Sequence, residues 1–166
     1  MLFSADAYDL PGTGGATLQQ MTAADATPLA IACAAIDPWL TYGTSADDLT
    51  RYFTPQAGSV QRLKACDASG HAVGLVIIRW PWLHGPYVTF LAVLPDHQGH
   101  GIGMSMLGAI EREARATQQR NLWLCVSHFN LGAQTFYTRA GFEQAALLPD
   151  LVRDGVDEVL MRKRLV

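Results

Sequence analysis

Charged side chains are scarce in this 166-residue chain: 12 Lys and Arg stand against 15 Asp and Glu, a formal net charge of −3. With no basic surplus to neutralise a polyphosphate backbone or an anionic bilayer, neither nucleic acid nor a membrane surface is an expected partner. No run of like charge forms an interaction tail. Long hydrophobic runs are missing too, the longest being residues 29–36 and 72–78, well short of the ~20 that span a bilayer. Cysteine is sparse. Cys33, Cys66 and Cys125 are odd in number, far apart and set among apolar neighbours, which indicates reduced, mostly buried thiols rather than a disulfide framework or a metal site. The first ten residues carry Asp6 and Asp9 and no Lys or Arg, the wrong chemistry for a secretory signal, so a cytoplasmic location is expected. What the chain does have is apolar residues, 49% of the total, enough at this length for the core of one domain.

Repeats and low-complexity stretches are absent. A glycine cluster at residues 11–15 sets a short N-terminal arm, 1–15, apart from a single domain over 16–166. Residues 16–21 read as a first strand. Thr22 and Asp25 then have the spacing of a capping box, with Thr27-Pro28 as a competing helix start; the helix should end before Asp37-Pro38. Ser45 caps a second helix through Phe53. From Val60 the period changes to two: residues 60–65 alternate, residues 67–70 turn, and residues 72–80 complete a hairpin. Residues 87–94 form a further strand. A glycine-rich segment, 98–103, leads into an amphipathic helix with Met106, Leu107, Ile110 and Ala114 on one face. Residues 122–126 read as a strand, 130–140 as a helix, and 143–148 and 156–164 as closing strands. The order β-α-α-β-β-β-α-β-α-β-β implies an α/β domain with a mixed, mostly antiparallel sheet flanked by helices.

The glycine segment narrows the function. A Walker loop needs Lys and then Ser or Thr after its last glycine, but Gly103 precedes Met104. A Rossmann fingerprint fails as well: counted from Gly99 or Gly101, the sixth position is Met104 or Met106. What remains is Q-x-x-G-x-G between a strand and a helix. Residues without side chains let backbone N–H groups converge on an anion at the positive end of the helix dipole. Backbone recognition suits a chain whose residues 65–111 hold a single Lys or Arg, Arg79.

Leu91, Val93, Pro95, Gln98, Gly101 and Gly103 fill the pattern L-x-V-x-P followed by [RQ]-x-x-G-x-[GA], which resembles the central motif of the GCN5-related N-acetyltransferase (GNAT) superfamily. Asn130, Ala133, Phe136, Tyr137, Gly141 and Phe142 match that superfamily's second motif. The resemblance covers residues 60–166 well and the first 59 only in their helix pattern. It implies acetyl-CoA as the acetyl donor, no metal, and a sheet splayed between the strand of Leu91 and the strand over 122–126, with pantetheine in the gap. Backbone around Leu91, Ala92 and Val93 would pair with the pantetheine. Amides from Gly99 through His100, Gly101, Ile102, Gly103 and Met104 would hold the pyrophosphate behind Gln98. Asn130 would bond the pantetheine, with Ala133 and Phe136 along the channel.

Acetyl transfer to an amine requires a neutral nucleophile, a polarised thioester and a proton for the departing thiolate. The resemblance assigns that proton to Tyr137. It leaves the base open, because many relatives carry a glutamate on the strand before the glycine loop and residues 87–94 hold no carboxylate. His84 has a suitable intrinsic pKa and is the candidate base, directly or through water; Asp37 is the alternative. His97 and His100 flank the loop without a third ligand nearby in sequence, so a zinc site is rejected. Trp39, Tyr42, Trp80, Trp82, Tyr87 and Phe90 can wall an acceptor pocket or belong to the core. The expected acceptor is the primary amine of a small molecule or a peptide, acetylated by a monomer or homodimer. The rival from another class is a catalytically silent CoA-binding module of the same fold.

Overall fold

The computed structural model describes residues 1–165. Its elements are β1 (Ala7–Asp9), β2 (Thr17–Gln20), α1 (Ala23–Ala34), α2 (Trp39–Tyr42), α3 (Ala46–Phe53), β3 (Val60–Cys66), β4 (Ala72–Trp82), β5 (Gly85–Val93), a short turn of 3₁₀ helix (Pro95–His97), α4 (Ile102–Ala116), β6 (Asn121–Ser127), α5 (Leu131–Arg139), β7 (Glu143–Arg153) and β8 (Val156–Arg164). The strands form one eight-stranded sheet in the order β1-β2-β3-β4-β5-β6-β8-β7. Every neighbouring pair is antiparallel except β5 and β6. That parallel step is the crossover through α4, as a β-α-β unit requires.

Strand alternation sorts the core into two layers. On one face Leu63, Val76, Ile78, Leu122, Leu124, Val159 and Met161 pack with Met106, Leu107 and Ile110 of α4. On the other, Leu75, Ile77, Phe90 and Ala92 pack with Leu29, Ala30 and Cys33 of α1 and Leu49 and Phe53 of α3. The inner strands, covered on both sides, therefore read as nearly continuous apolar runs.

Three local features are specific to the fold. Residues 1–15, read as an arm apart from the domain, pack into it: β1 pairs with β2, and Leu2, Phe3 and Leu10 are buried. The buried Gln61 side chain clamps this segment. It accepts from the Leu2 and Phe3 N–H groups at 2.6 and 3.0 Å and donates to the Phe3 carbonyl at 2.7 Å. Helix α1 starts at Thr22, and Pro28 falls inside it rather than opening it. The Asp25 carboxylate accepts from the Thr22 N–H and hydroxyl at 2.7 and 2.8 Å and from Lys64 Nζ at 2.7 Å, so the first turn is secured a full turn before the proline. Finally, α2 is an element with no periodic signature. It is four residues long and stops at Gly43, whose φ of 68° suits glycine.

The Asp25–Lys64 pair carries a pH signature. Burial raises the Asp25 carboxyl, but the hydrogen bonds from Lys64 and Thr22 outweigh it and hold the group below its ordinary value of 3.8. A depressed folded pKa gives stability that is present above the unfolded value and lost as pH falls through the folded one. Asp25→Asn is expected to cost about 1 kcal/mol near pH 7, and urea unfolding should show the difference shrinking as pH drops below 3.8.

Candidate active site

The β5–β6 junction is where the sheet opens. The two strands pair at Tyr87 with Trp123 and at Val88 with Leu124, whereas β6 stays paired to β8 along its whole length. Beyond Val88 the β5 register against β4 skips one residue: Val88 faces Ile78 and Phe90 faces Ile77, leaving Thr89 as a bulge. A bulge bends its strand and re-aims the residues after it. The result is a cleft of about 790 Å³ passing through the sheet, lined by β5 on one wall and by Cys125, Val126 and Ser127 of β6 on the other.

On the α4–α5 side lies the glycine turn. Gly99 and Gly101 have φ of 79° and 77°, a region costly for residues with a Cβ. Gly101 is the N-cap of α4 and supplies no side-chain cap, so the first-turn N–H groups of Ile102, Gly103 and Met104 meet no side-chain oxygen there. Free N–H groups at a helix N-terminus are able to receive an anion, and these lie at the cleft. Gln98 holds the turn from behind, its Nε2 donating to the Val93 carbonyl at 3.0 Å. Gly103 permits a close approach: a Cβ there would sit 3.2 Å from Phe136 Cζ. Asn130 caps α5, its Oδ1 accepting from the Ala133 N–H at 3.1 Å, which leaves the Nδ2 donor over for a ligand. Leu91, Ala92, Val93, Ala133, Phe136 and Tyr137 line the same cleft. Burial pushes the Tyr137 phenol up to about 12, so it stays a neutral donor across the physiological range. Among the described residues its hydroxyl has no hydrogen-bond partner.

The α1–α3 side is aromatic and acidic. Trp39 stacks on Phe90 at 3.9 Å between centroids, 15° from parallel. Tyr42 reaches from α2 to the opposite wall: its hydroxyl donates to Glu158 Oε1 and lies 2.8 Å from Ser127 Oγ. Burial, then the adjoining Glu158 carboxylate, raises Tyr42 to about 12. Tyr87 is raised as well, by burial and its bond with Cys125. Glu158, on β8 opposite Ser127, is 5% exposed. The sequence reading passed over Glu158 and Ser127, although an acid inside the run Val156-Asp-Glu-Val-Leu-Met was the available signal.

Three sequence candidates lie elsewhere. His84 is exposed in the β4–β5 turn, its carbonyl accepting from the Arg120 N–H at 3.0 Å; it does not line the cleft, nor does it meet Tyr137. It sits before β5, at the end of the strand opposite the glycine turn. Trp82 packs on Tyr87 and Trp123 at 4.7 and 5.5 Å, outside the cleft lining. His100 is exposed on the glycine turn and is not part of the lining. Asp37 stands at the rim, where its Oδ1 accepts from the Thr41 hydroxyl at 2.7 Å. Among the described residues no group of three or more His, Cys, Asp or Glu side chains forms a metal-holding cluster, and no helix is long and apolar enough to cross a membrane.

A splayed parallel strand pair, a bare helix N-terminus and a channel between them are the arrangement that the motif resemblance anticipated. The model of the acetyltransferase (GNAT) family matches residues 29–142. The chain belongs to the GNAT family. Two curated relatives, both uncharacterized N-acetyltransferases of Methanocaldococcus jannaschii, are similar in sequence. One is 32% identical over 99 residues, covering 59% of this chain and 63% of the relative; the other is 29% identical over 94 residues, covering 53% and 42%. The chain thus spans less than two thirds of these relatives. Among solved structures, a nourseothricin acetyltransferase is 27% identical with a TM-score of 0.60, over 68% of this chain and 69% of that one. A GNAT-family structure from Desulfovibrio desulfuricans shares the fold at 19% identity and a TM-score of 0.72, covering 91% and 99%. Spermidine N-acetyltransferase from Vibrio cholerae, solved with CoA and spermine, shares it at 17% and 0.69, covering 90% and 95%.

Proposed function

We propose that this GNAT protein is an acetyl-CoA-dependent N-acetyltransferase that passes an acetyl group directly to a primary amine of a small molecule or peptide. The observation that carries the reading is the cleft itself. It opens where β5 loses its partner, it has a helix N-terminus without a side-chain cap at one mouth, and Tyr137 lines it with a hydroxyl that has no partner among the described residues.

The residues present fit the donor. Exposed backbone of β5 after Val88 can pair with the amides of a pantetheine arm, the turn from Gly99 to Met104 offers N–H groups to a pyrophosphate, and Asn130 Nδ2 is a donor for a pantetheine carbonyl. Acetyl-CoA supplies the activated acetyl group. The chain orients it, excludes water with Phe136 and the β5 side chains, and provides a proton at Tyr137 Oη for the leaving sulfur.

Isothermal titration should show saturable acetyl-CoA binding, and thiol release should follow with at least one amine from a panel of amino acids, polyamines, aromatic amines and peptides. Binding without turnover on any of them would favour the silent module; no binding would overturn the donor assignment.

A further inference from the structure

Resting on that reading, we infer that the acceptor is a cationic primary amine on an aromatic or otherwise apolar body, bearing no acidic group, and that Glu158 anchors its ammonium and takes its proton. The charged side chains lining the cleft, among the described residues, are Asp37, His97 and Glu158; neither Lys nor Arg takes part. Glu158 is the deep one. It sits on the same face of the sheet as Ser127 and Cys125, because Leu124, Val126 and Val159 between them point into the α4 layer. Tyr42 satisfies Oε1, and Oε2 accepts no hydrogen bond from the described residues. A carboxylate that lines the cleft and holds one neutral donor keeps an acceptor oxygen free for a ligand. A ligand ammonium would supply the missing charge and the missing hydrogen bond together.

The walls around it specify the rest of the ligand. Trp39, Tyr42, Tyr87 and Phe90 present aromatic surface, and the exposed Leu151 and Val152 extend it at the rim. Such walls favour an apolar body and add cation–π attraction for the ammonium. An α-amino acid would bring its own carboxylate beside Glu158, where no cation offsets the repulsion. A polyamine would need a second deep anion, and Asp37 is at the rim and already bonded to Thr41.

Position also decides the proton's route. The ammonium gives one proton to Glu158 and becomes a neutral amine. Its nitrogen then bonds to the acetyl carbon as the carbon–sulfur bond breaks; the sulfur takes the Tyr137 proton, and the nitrogen's second proton restores Tyr137 through water. Glu158 returns its proton to solvent, so one proton is released per acetylation. Tyr42, Tyr87 and Cys125 are the titratable groups facing Glu158, and burial holds all three neutral near pH 7.

The test compares phenethylamine with phenylalanine and spermidine on the wild-type protein, then repeats phenethylamine with Glu158→Gln and Glu158→Asp. Phenethylamine should exceed phenylalanine by about 100-fold or more in kcat/KM, the difference expected when an unpaired charge is forced into a site, and should exceed spermidine. Glu158→Gln should lose about 100-fold and Glu158→Asp less, with the acetyl-CoA Kd of both within about twofold of wild type as the check on folding. Preference for phenylalanine or spermidine, full activity in Glu158→Gln, or acetyl-CoA binding without turnover of phenethylamine would each overturn the inference. The wild-type comparison stands even if a variant misfolds. Failure to bind acetyl-CoA would instead sink the transferase reading on which this one rests.

Discussion

Tyr137→Phe is expected to lower kcat about 100-fold while the acetyl-CoA Kd stays within about twofold, the scale of losing one positioned general acid. Removing one oxygen leaves the ring in its layer, between Phe136 at 5.2 Å and Phe142 at 6.0 Å, so packing and the channel wall persist. Among the described residues the hydroxyl has no partner to strand, and stability should hardly change. On the proposed mechanism, what disappears is the proton for the leaving thiolate. Burial pushes this phenol up to about 12, so the wild-type donor stays protonated to high pH and its loss should show across the whole neutral range. Single-turnover kinetics with saturating donor would separate this from slow product release. Unchanged turnover would reject the acid role and return Tyr137 to the core.

Gly85→Ala should have the largest effect on stability, a loss of about 3 kcal/mol, at the upper end of the usual cost of overpacking. A Cβ at Gly85 would fall 1.9 Å from the Asn121 carbonyl oxygen and 2.7 Å from its carbon. The neighbouring backbone cannot simply retreat. Arg120 N–H donates to the His84 carbonyl at 3.0 Å, and Asn121 Nδ2 and Trp123 Nε1 both donate to the Leu83 carbonyl at 3.3 and 3.1 Å. These bonds hold the β4–β5 turn against the start of β6, two residues before the Tyr87–Trp123 pair from which the cleft opens. For a domain of this size the loss corresponds to a fall in Tm of roughly 6–12 °C, measurable by calorimetry. A shift within about 2 °C would mean that the close approach is not rigidly held.

The two effects differ in how far the sequence announced them. Tyr137 stands in a motif whose members lie on or beside one helix, and Asn130 caps that helix by accepting from the N–H three residues on. Contacts of that span are written into local spacing. Gly85 is one glycine among 15, and nothing near it says that the backbone at Asn121 passes within reach. The same limit explains His84. Its ring chemistry suited a base and it lies close to β5 in sequence, but a nine-residue strand separates the turn that holds it from the glycine turn. Trp82 shows a related limit: at the start of a hairpin turn it had equal claim to either face, and its ring lies tilted against Tyr87 and edge-on to Trp123, outside the cleft lining.

By itself the sequence determined the order of the elements from β2 onward apart from α2, the glycine turn that leads into α4, and the places of Asn130, Phe136 and Tyr137 along α5. Each depends on interactions over a few residues: backbone conformation at glycine, capping, and the periods of helix and strand. The tertiary structure alone decided that β5 leaves β6 after Val88, and that Tyr42 meets Glu158 across 116 residues of chain. That meeting depends on the bulge at Thr89, on β8 lying beside β6 in the register that sets Glu158 against Ser127, and on α2 packing over Phe90. Register and crossover follow from how the whole core closes, so a carboxylate that local reading leaves unnoticed on the penultimate strand of the sheet order becomes the deepest charge in the cleft.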